Sequence, residues 1–256
     1  MHKRFSVFLR PLAAAVLALG AHAAWAETIT VSAAASLADA FKVIAQQYEQ
    51  RHPGDKVELN FAGSGALLQQ IDKGAPVDVF ASADQKTMQM AEEKGLVAQG
   101  KNQAFARNSL VLIQPKDSKV ALADVDGLRS QGIARIAIGN PDSVPVGRYT
   151  KATLEAGGQW EALQPKLILA QNVRQALDYV ARAEVDAGFV YGTDAALMAD
   201  KVKMAGVVPT QKPVVYPIAV LKKAPQPEAA QRFMALVLSA DGQKVLAQFG
   251  FLPPAE

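Results

Sequence analysis

The chain has 256 residues, 27 Lys+Arg against 24 Asp+Glu, and no cysteine, so it can form neither disulfides nor a thiolate metal site. Lys3, Arg4 and Arg10 all fall within residues 1–26; beyond them the charge is balanced at 24 of each sign, which argues against the broad basic footprint of a nucleic-acid binder. Past that point His52 is the only histidine, too few nitrogen ligands for zinc chemistry.

The three early basic residues precede an apolar run, Leu12 to Leu19, and then Ala24-Trp25-Ala26, the pattern of a secretory signal peptide cleaved before Glu27. The run is shorter than the roughly 20 apolar residues that span a bilayer. Residues 1–26 are therefore expected to be a leader. With no cysteine for a lipid anchor, the exported protein is expected to be free in the periplasm. The remaining length, about 230 residues, suffices for one large core or two smaller ones.

From Thr28 the apolar residues alternate, predicting a strand that runs to Ser36; Leu37, Ala40, Phe41, Ile44, Ala45 and Tyr48 then recur at helical spacing. His52-Pro53-Gly54-Asp55 breaks that helix, Val57 to Ala62 reads as the next strand, and Gly63-Ser64-Gly65 opens a helix from Ala66 to Lys73 that Gly74 closes. Ala75 to Asp84 carries a nearly continuous apolar core, the mark of a strand buried on both faces of a parallel sheet, and Gln85 to Lys94 is its helix. Asn108 to Lys116 and Ala134 to Pro141 are further buried strands, after which Pro145 feeds a helix ending at Gly157-Gly158. Pro165 to Ala195 repeats strand, helix, strand, with Val173, Ala176, Leu177 and Val180 on one helix face. Val214 to Lys223 is a late strand, and the tail is two helices broken near Asp241-Gly242. This alternation predicts an α/β class with mainly parallel sheets flanked by helices. Composition leaves one domain or two open.

Several strand-to-helix junctions carry groups suited to an anion. Ser36, with Asp39 three residues on, fits a capping box, and the same junction offers backbone N–H groups to a ligand. Gly63-Ser64-Gly65 continues into Ala66-Leu67 rather than the Gly-Lys-Ser/Thr of a Walker loop, which disfavours nucleotides; its place at the carboxyl end of a strand is where open α/β sheets bind ligands. Pro145-Val146-Gly147 and Asn172-Val173-Arg174 each begin a helix and expose unpaired N–H groups. Tyr191 closes a strand, either as a core residue or as a donor into a cleft. Arg148, Arg174 and Arg182 are alternative anion clamps, Arg174 in a first turn where a cation opposes the helix dipole. An enzymatic alternative pairs Ser64 with a lysine base such as Lys73, although there is no thiol and no G-x-S-x-G elbow.

Longer blocks carry a resemblance: AAASL (33–37), FAGSGALLQQIDKGAPVDVFASAD (61–84), RNSLVLI (107–113), GNPDSVPVGRYTKATL (139–154), NVRQALDYV (172–180), AGFVYGTDA (187–195) and the closing FGF. Together they resemble the periplasmic molybdate-binding proteins of molybdate ABC transporters over nearly all the sequence after residue 26. The resemblance implies a two-lobed type II periplasmic binding protein with its ligand cleft between lobes, lobe 1 being residues 27–107 plus 215–256 and lobe 2 residues 108–214. It also implies a monomer with no enzymatic activity and no cofactor, which captures molybdate and tungstate and delivers them to membrane permease subunits.

By matching motif, the resemblance places the molybdate-binding residues at Ser36, Ser64, Val146, Val173 and Tyr191, with molybdenum held as its oxyanion and no residue a direct metal ligand. Val146 stands where alanine is common in the family, and Gly63 where some members carry serine. The chemistry agrees. A hydroxyl and an amide at each serine, an amide at each valine and the tyrosine hydroxyl make a set of donors suited to a proton-free tetrahedral dianion. Phosphate at neutral pH keeps a proton and wants an acceptor. A second reading within the same class is a receptor for another tetrahedral oxyanion such as sulfate.

Overall fold

The computed structural model describes residues 27–254; the expected leader, residues 1–26, lies outside the described residues. β1 (Thr28–Ala34) passes through a tight 3-10 turn at Ala35–Leu37 into α1 (Ala38–Arg51), followed by β2 (Lys56–Ala62), α2 (Ser64–Asp72), β3 (Val79–Ala81), α3 (Gln85–Glu93) and β4 (Gln103–Asn108). Next come β5 (Leu110–Pro115), β6 (Ile136–Gly139), α4 (Pro145–Ala156), α5 (Trp160–Leu163) and β7 (Leu167–Ala170). Then follow α6 (Val173–Ala181), β8 (Ala187–Tyr191), α7 (Gly192–Leu197) and β9 (Val202–Val208). The chain closes with β10 (Val214–Val220), α8 (Pro227–Leu238) and α9 (Ala240–Gln248). No helix among the described residues is long and apolar enough to cross a membrane.

The strands form two five-stranded sheets on one plan, ordered β2-β1-β3-β10-β4 and β7-β6-β8-β5-β9. In the first, β1 runs parallel to β2 and β3, while β10 is antiparallel to β3 and β4. In the second, β6 runs parallel to β7 and β8, while β5 is antiparallel to β8 and β9. The α/β class is as expected, but the pairing is evenly mixed rather than mainly parallel. The reason lies in β5 and β10, interior strands whose faces are covered by helices, α8 and α3 on β10 and α6 and α7 on β5, so that their apolar runs are buried whichever way the neighbouring strands point.

The chain passes between the sheets twice. Only Ser109 separates β4 of the first sheet from β5 of the second, and the return is made from β9 to β10. Helices cover the sheets through the predicted faces: Ala40, Phe41, Ile44, Ala45 and Tyr48 of α1, and Val173, Ala176, Leu177 and Val180 of α6, are buried. The largest hydrophobic core draws on both sheets. At its centre the Tyr216 ring of β10 packs 5.8 Å from the Tyr191 ring of β8 and 6.3 Å from Phe105 of β4.

Some boundaries differ from expectation. β3 is regular strand only over Val79–Ala81, and β4 and β9 are strands that the sequence pattern does not announce. The last two helices part at Ser239, whose Oγ caps α9 by accepting the Gly242 N–H at 3.3 Å.

Candidate functional site

The parallel strands of both sheets aim their carboxyl ends at one narrow cavity. Ala34 ends β1 and Ser36 follows it, Gly63 and Ser64 follow β2, Ala83 follows β3, Val144, Pro145 and Val146 follow β6, Asn172 and Val173 follow β7, and Tyr191 ends β8; all line it. Ser36, Ser64, Val146, Val173 and Tyr191 therefore face a common space, and no charged side chain is among the described residues that line it.

Each junction presents donors. Ser64 and Val173 are the first residues of α2 and α6, Val146 is the second of α4, and Ser36 is the second of the 3-10 turn that runs into α1. First-turn N–H groups have no carbonyl partner within their own helix. Four helix N-termini also place partial positive charge around the cavity.

Other donors of those turns are already engaged. Asn172 Oδ1 takes the Gln175 N–H at 3.0 Å, and the Gly65 N–H reaches across to the Ser143 carbonyl at 2.9 Å.

The hydroxyls are fully buried. Ser64, Tyr191 and Ser36 are 0%, 1% and 2% exposed. Ser64 Oγ accepts the Ala83 N–H at 3.1 Å, and Ser36 Oγ lies 3.0 Å from the Tyr216 hydroxyl. Ser36 is thus not the cap of α1: the 3-10 turn puts Leu37 at that position, and the serine hydroxyl turns inward instead. Tyr191 Oη is buried with no hydrogen-bond partner among the described residues. Burial pushes both the Tyr191 and Tyr216 phenols well above the ordinary tyrosine range, so each keeps its proton to donate.

The arginines weighed as anion clamps point elsewhere. Arg148 Nε binds Asp84 Oδ2 at 2.7 Å and its Nη2 donates to Thr87 Oγ1 at 2.6 Å. Arg174 spans Asp194 Oδ1 at 2.5 Å and Asp39 Oδ2 at 2.8 Å. Arg182 is solvent-exposed, with Glu184 3.9 Å away. Arg148 and Arg174 therefore tie the helices of the second sheet to α3 and α1 of the first.

The enzymatic alternative loses its base, because Lys73 follows the last turn of α2 and Ser64 begins it. At 1.5 Å per residue that puts them about 13 Å apart.

Residues 29–252 match the family model described as bacterial extracellular solute-binding protein. The chain belongs to that family. This solute-binding protein is 41% identical over 202 residues to the molybdate-binding protein ModA of Escherichia coli (strain K12), covering 76% of this chain and 77% of that one. It is 33% identical over 260 residues to the putative ABC transporter substrate-binding lipoprotein YvgL of Bacillus subtilis (strain 168), covering 98% and 99%. Among solved structures, the Azotobacter vinelandii periplasmic molybdate-binding protein aligns with a TM-score of 0.75 at 26% identity, over 89% of this chain and 100% of that one. The family binds and presents solutes, so the chain is a binding protein and not an enzyme.

Sequence reasoning passed over two polar groups behind the cavity. Tyr216 sits in an apolar run and reads as core; Asn108 reads as the start of a strand. Their hydrogen bond to each other, and that between Tyr216 and Ser36, become visible only when β4, β10 and the first junction are brought together. The one available signal was a tyrosine beside Pro217 in a central strand, where the missing N–H goes with a register shift between Tyr216 and Pro217.

Proposed function

We propose that this solute-binding protein captures molybdate, with tungstate as a second ligand, and hands it to the permease subunits of an ABC importer. The observation that carries the proposal is the wall of the cavity: among the described residues, four first-turn amides, two buried serines and an unpartnered tyrosine hydroxyl surround a space bordered by no charged side chain. Such a wall suits an oxyanion whose oxygens all accept. The molybdate-binding names of the Escherichia coli and Azotobacter vinelandii proteins support the same ligand.

Ser36 and Ser64 come from the first sheet's side, and Val146, Val173 and Tyr191 from the second's. Neither side holds the full donor set. Residues 27–107 with 215–256 and residues 108–214 are therefore proposed as two lobes that close over the ligand, the closed form being what the permease engages. Residues 1–26 are proposed as the cleaved leader, and the exported protein as a free periplasmic monomer.

Hydrogen bonds to a charged group contribute roughly 1.5 to 3 kcal/mol each. Seven such bonds, less desolvation and closure, are consistent with about −8 kcal/mol or better, a submicromolar Kd. Trp160 lies in α5, away from the cavity and under Lys151 Nζ at 5.3 Å, so calorimetry is a better readout than its fluorescence. Titration of residues 27–256 is expected to give tight molybdate and tungstate binding and weaker sulfate binding. Tight sulfate or phosphate binding with no response to molybdate overturns the assignment. Ser36→Ala is expected to weaken molybdate by about 1.5 to 3 kcal/mol, one charged hydrogen bond.

A further inference from the structure

Behind the cavity lies a buried chain of polar groups whose direction can be read from one end to the other. Asn108 Oδ1 accepts the Ser109 backbone N–H at 2.9 Å, and a backbone N–H can only donate, so the other end of that side chain is the NH2 group. Its Nδ2 lies 2.9 Å from Thr193 Oγ1 and 3.3 Å from the Tyr216 hydroxyl, one hydrogen for each. An amide NH2 cannot accept, so the Tyr216 oxygen accepts there and its own hydrogen must go elsewhere.

The neighbour in reach is Ser36 Oγ, 3.0 Å away. Ser36 Oγ therefore accepts from Tyr216, and its single hydrogen is left for the cavity. Ser64 is set the same way, because its Oγ already accepts the Ala83 N–H at 3.1 Å. Ser36, Tyr216, Thr193 and Asn108 are 2%, 0%, 7% and 9% exposed, so water does not compete freely for these bonds.

We infer that Asn108 and Tyr216 are positioning residues that pole the Ser36 hydroxyl as a donor, making the site selective for proton-free tetrahedral oxyanions over protonated ones. The inference rests on the oxyanion reading of the cavity. A serine free to rotate can accept the hydrogen of a protonated oxyanion; a poled one presents its own hydrogen against it, and the mismatch leaves a buried donor unpaired. Selectivity against protonated ligands thus comes from a direction imposed some 6 Å behind the wall, by two hydrogen-bond lengths of roughly 3 Å each.

Arsenate is the probe, a tetrahedral oxyanion that keeps a proton at neutral pH and is nearer molybdate in size than phosphate is. Molybdate and arsenate affinities are measured calorimetrically for the wild type, Tyr216→Phe and Asn108→Asp, with thermal unfolding to confirm that each variant folds. Tyr216→Phe frees the Ser36 oxygen; molybdate binding is expected to fall about tenfold while arsenate binding holds or rises, so the preference narrows by about that factor. Asn108→Asp replaces the donor with an acceptor and reverses the chain, which is expected to narrow the preference further.

Equal losses for both anions, or none, in a folded variant overturn the inference, since a purely structural role moves both alike. Should one variant fail to fold, the other decides. If the wild type ignores molybdate but holds sulfate, the functional reading fails, and the sulfate-to-arsenate ratio tests the poling by the same criterion.

Discussion

Arg174 carries its charge into the first turn of α6, where the helix dipole opposes it by about 0.3 to 1 kcal/mol. Two carboxylates explain its presence: Asp194, fully buried, and Asp39 on α1. Burial alone works against the guanidinium, but Asp194 and Asp39 more than offset it and raise its pKa. Asp194 is balanced the other way, since burial outweighs the attraction of Arg174 and pushes its carboxyl from 3.8 up to about 6. An acid with a raised folded pKa contributes most to stability below its unfolded value, and that contribution is lost as pH rises through the folded one. As pH rises from about 4 to about 6 this group's contribution to stability should therefore fall by about 3 kcal/mol, and it should stay at the lower level above that window. Asp194→Asn is expected to flatten that slope, which urea midpoints at about pH 4.5 and about pH 7 would register as a smaller difference than in the wild type. An unchanged slope would mean that Asp194 stays ionised throughout. At this scale the sequence was informative where a junction is punctuated by Ser, Gly, Pro or Asn, as at Ser36, Ser64, Val146 and Val173. It was silent about Tyr216 and Asn108, whose importance depends on partners 180 and 108 residues away.

At the scale of elements, most strands and the longer helices follow from period alone; the short α5 and α7 do not, and the two strands that do not, β4 and β9, are both edge strands. β4 and β9 each lie at the border of a sheet, so their faces are only partly covered: Met204 and Val207 of β9 are 56% and 65% exposed. Without a continuous apolar run or a clean alternation, such strands leave little in the pattern to find. Helix placement is set more tightly. α4 packs on β6 through Gly147, where an added Cβ would run into the carbonyl oxygen of Gly139, with its carbonyl carbon 2.5 Å away. Backbone on both sides cannot yield as a side chain does. Gly147→Ala is thus expected to destabilise the protein by about 3 kcal/mol, the upper end of overpacking effects, and to displace the neighbouring Val146 amide. A urea midpoint equal to that of the wild type would show that α4 can shift on β6 without strain.

At the scale of the whole molecule, the two sides meet around the cavity through contacts that need small residues. The Gly65 N–H donates to the Ser143 carbonyl at 2.9 Å, and a Cβ on Gly65 would lie 2.6 Å from that oxygen and 2.9 Å from Ser143 Cα. A Cβ on Gly63 would lie 2.7 Å from the Gln171 carbonyl oxygen, so the glycine at this position lets the junctions approach closely here. Gly65 is the second residue of α2 with no positive φ, where alanine is the better helix former by up to about 1 kcal/mol, the helix-interior value. Gly65→Ala should therefore separate two properties that usually move together. The free protein should be as stable as the wild type or slightly more so in urea, because the helix gains. Molybdate binding should weaken at least about tenfold, because the added methyl keeps α2 from the Ser143 turn and some donors no longer reach one ligand. Scattering should show a smaller ligand-induced decrease in radius of gyration than in the wild type. Full affinity with full compaction would mean that the Ser143 turn gives way, and that the approach of the two sides is set by the Arg148 and Arg174 ion pairs instead.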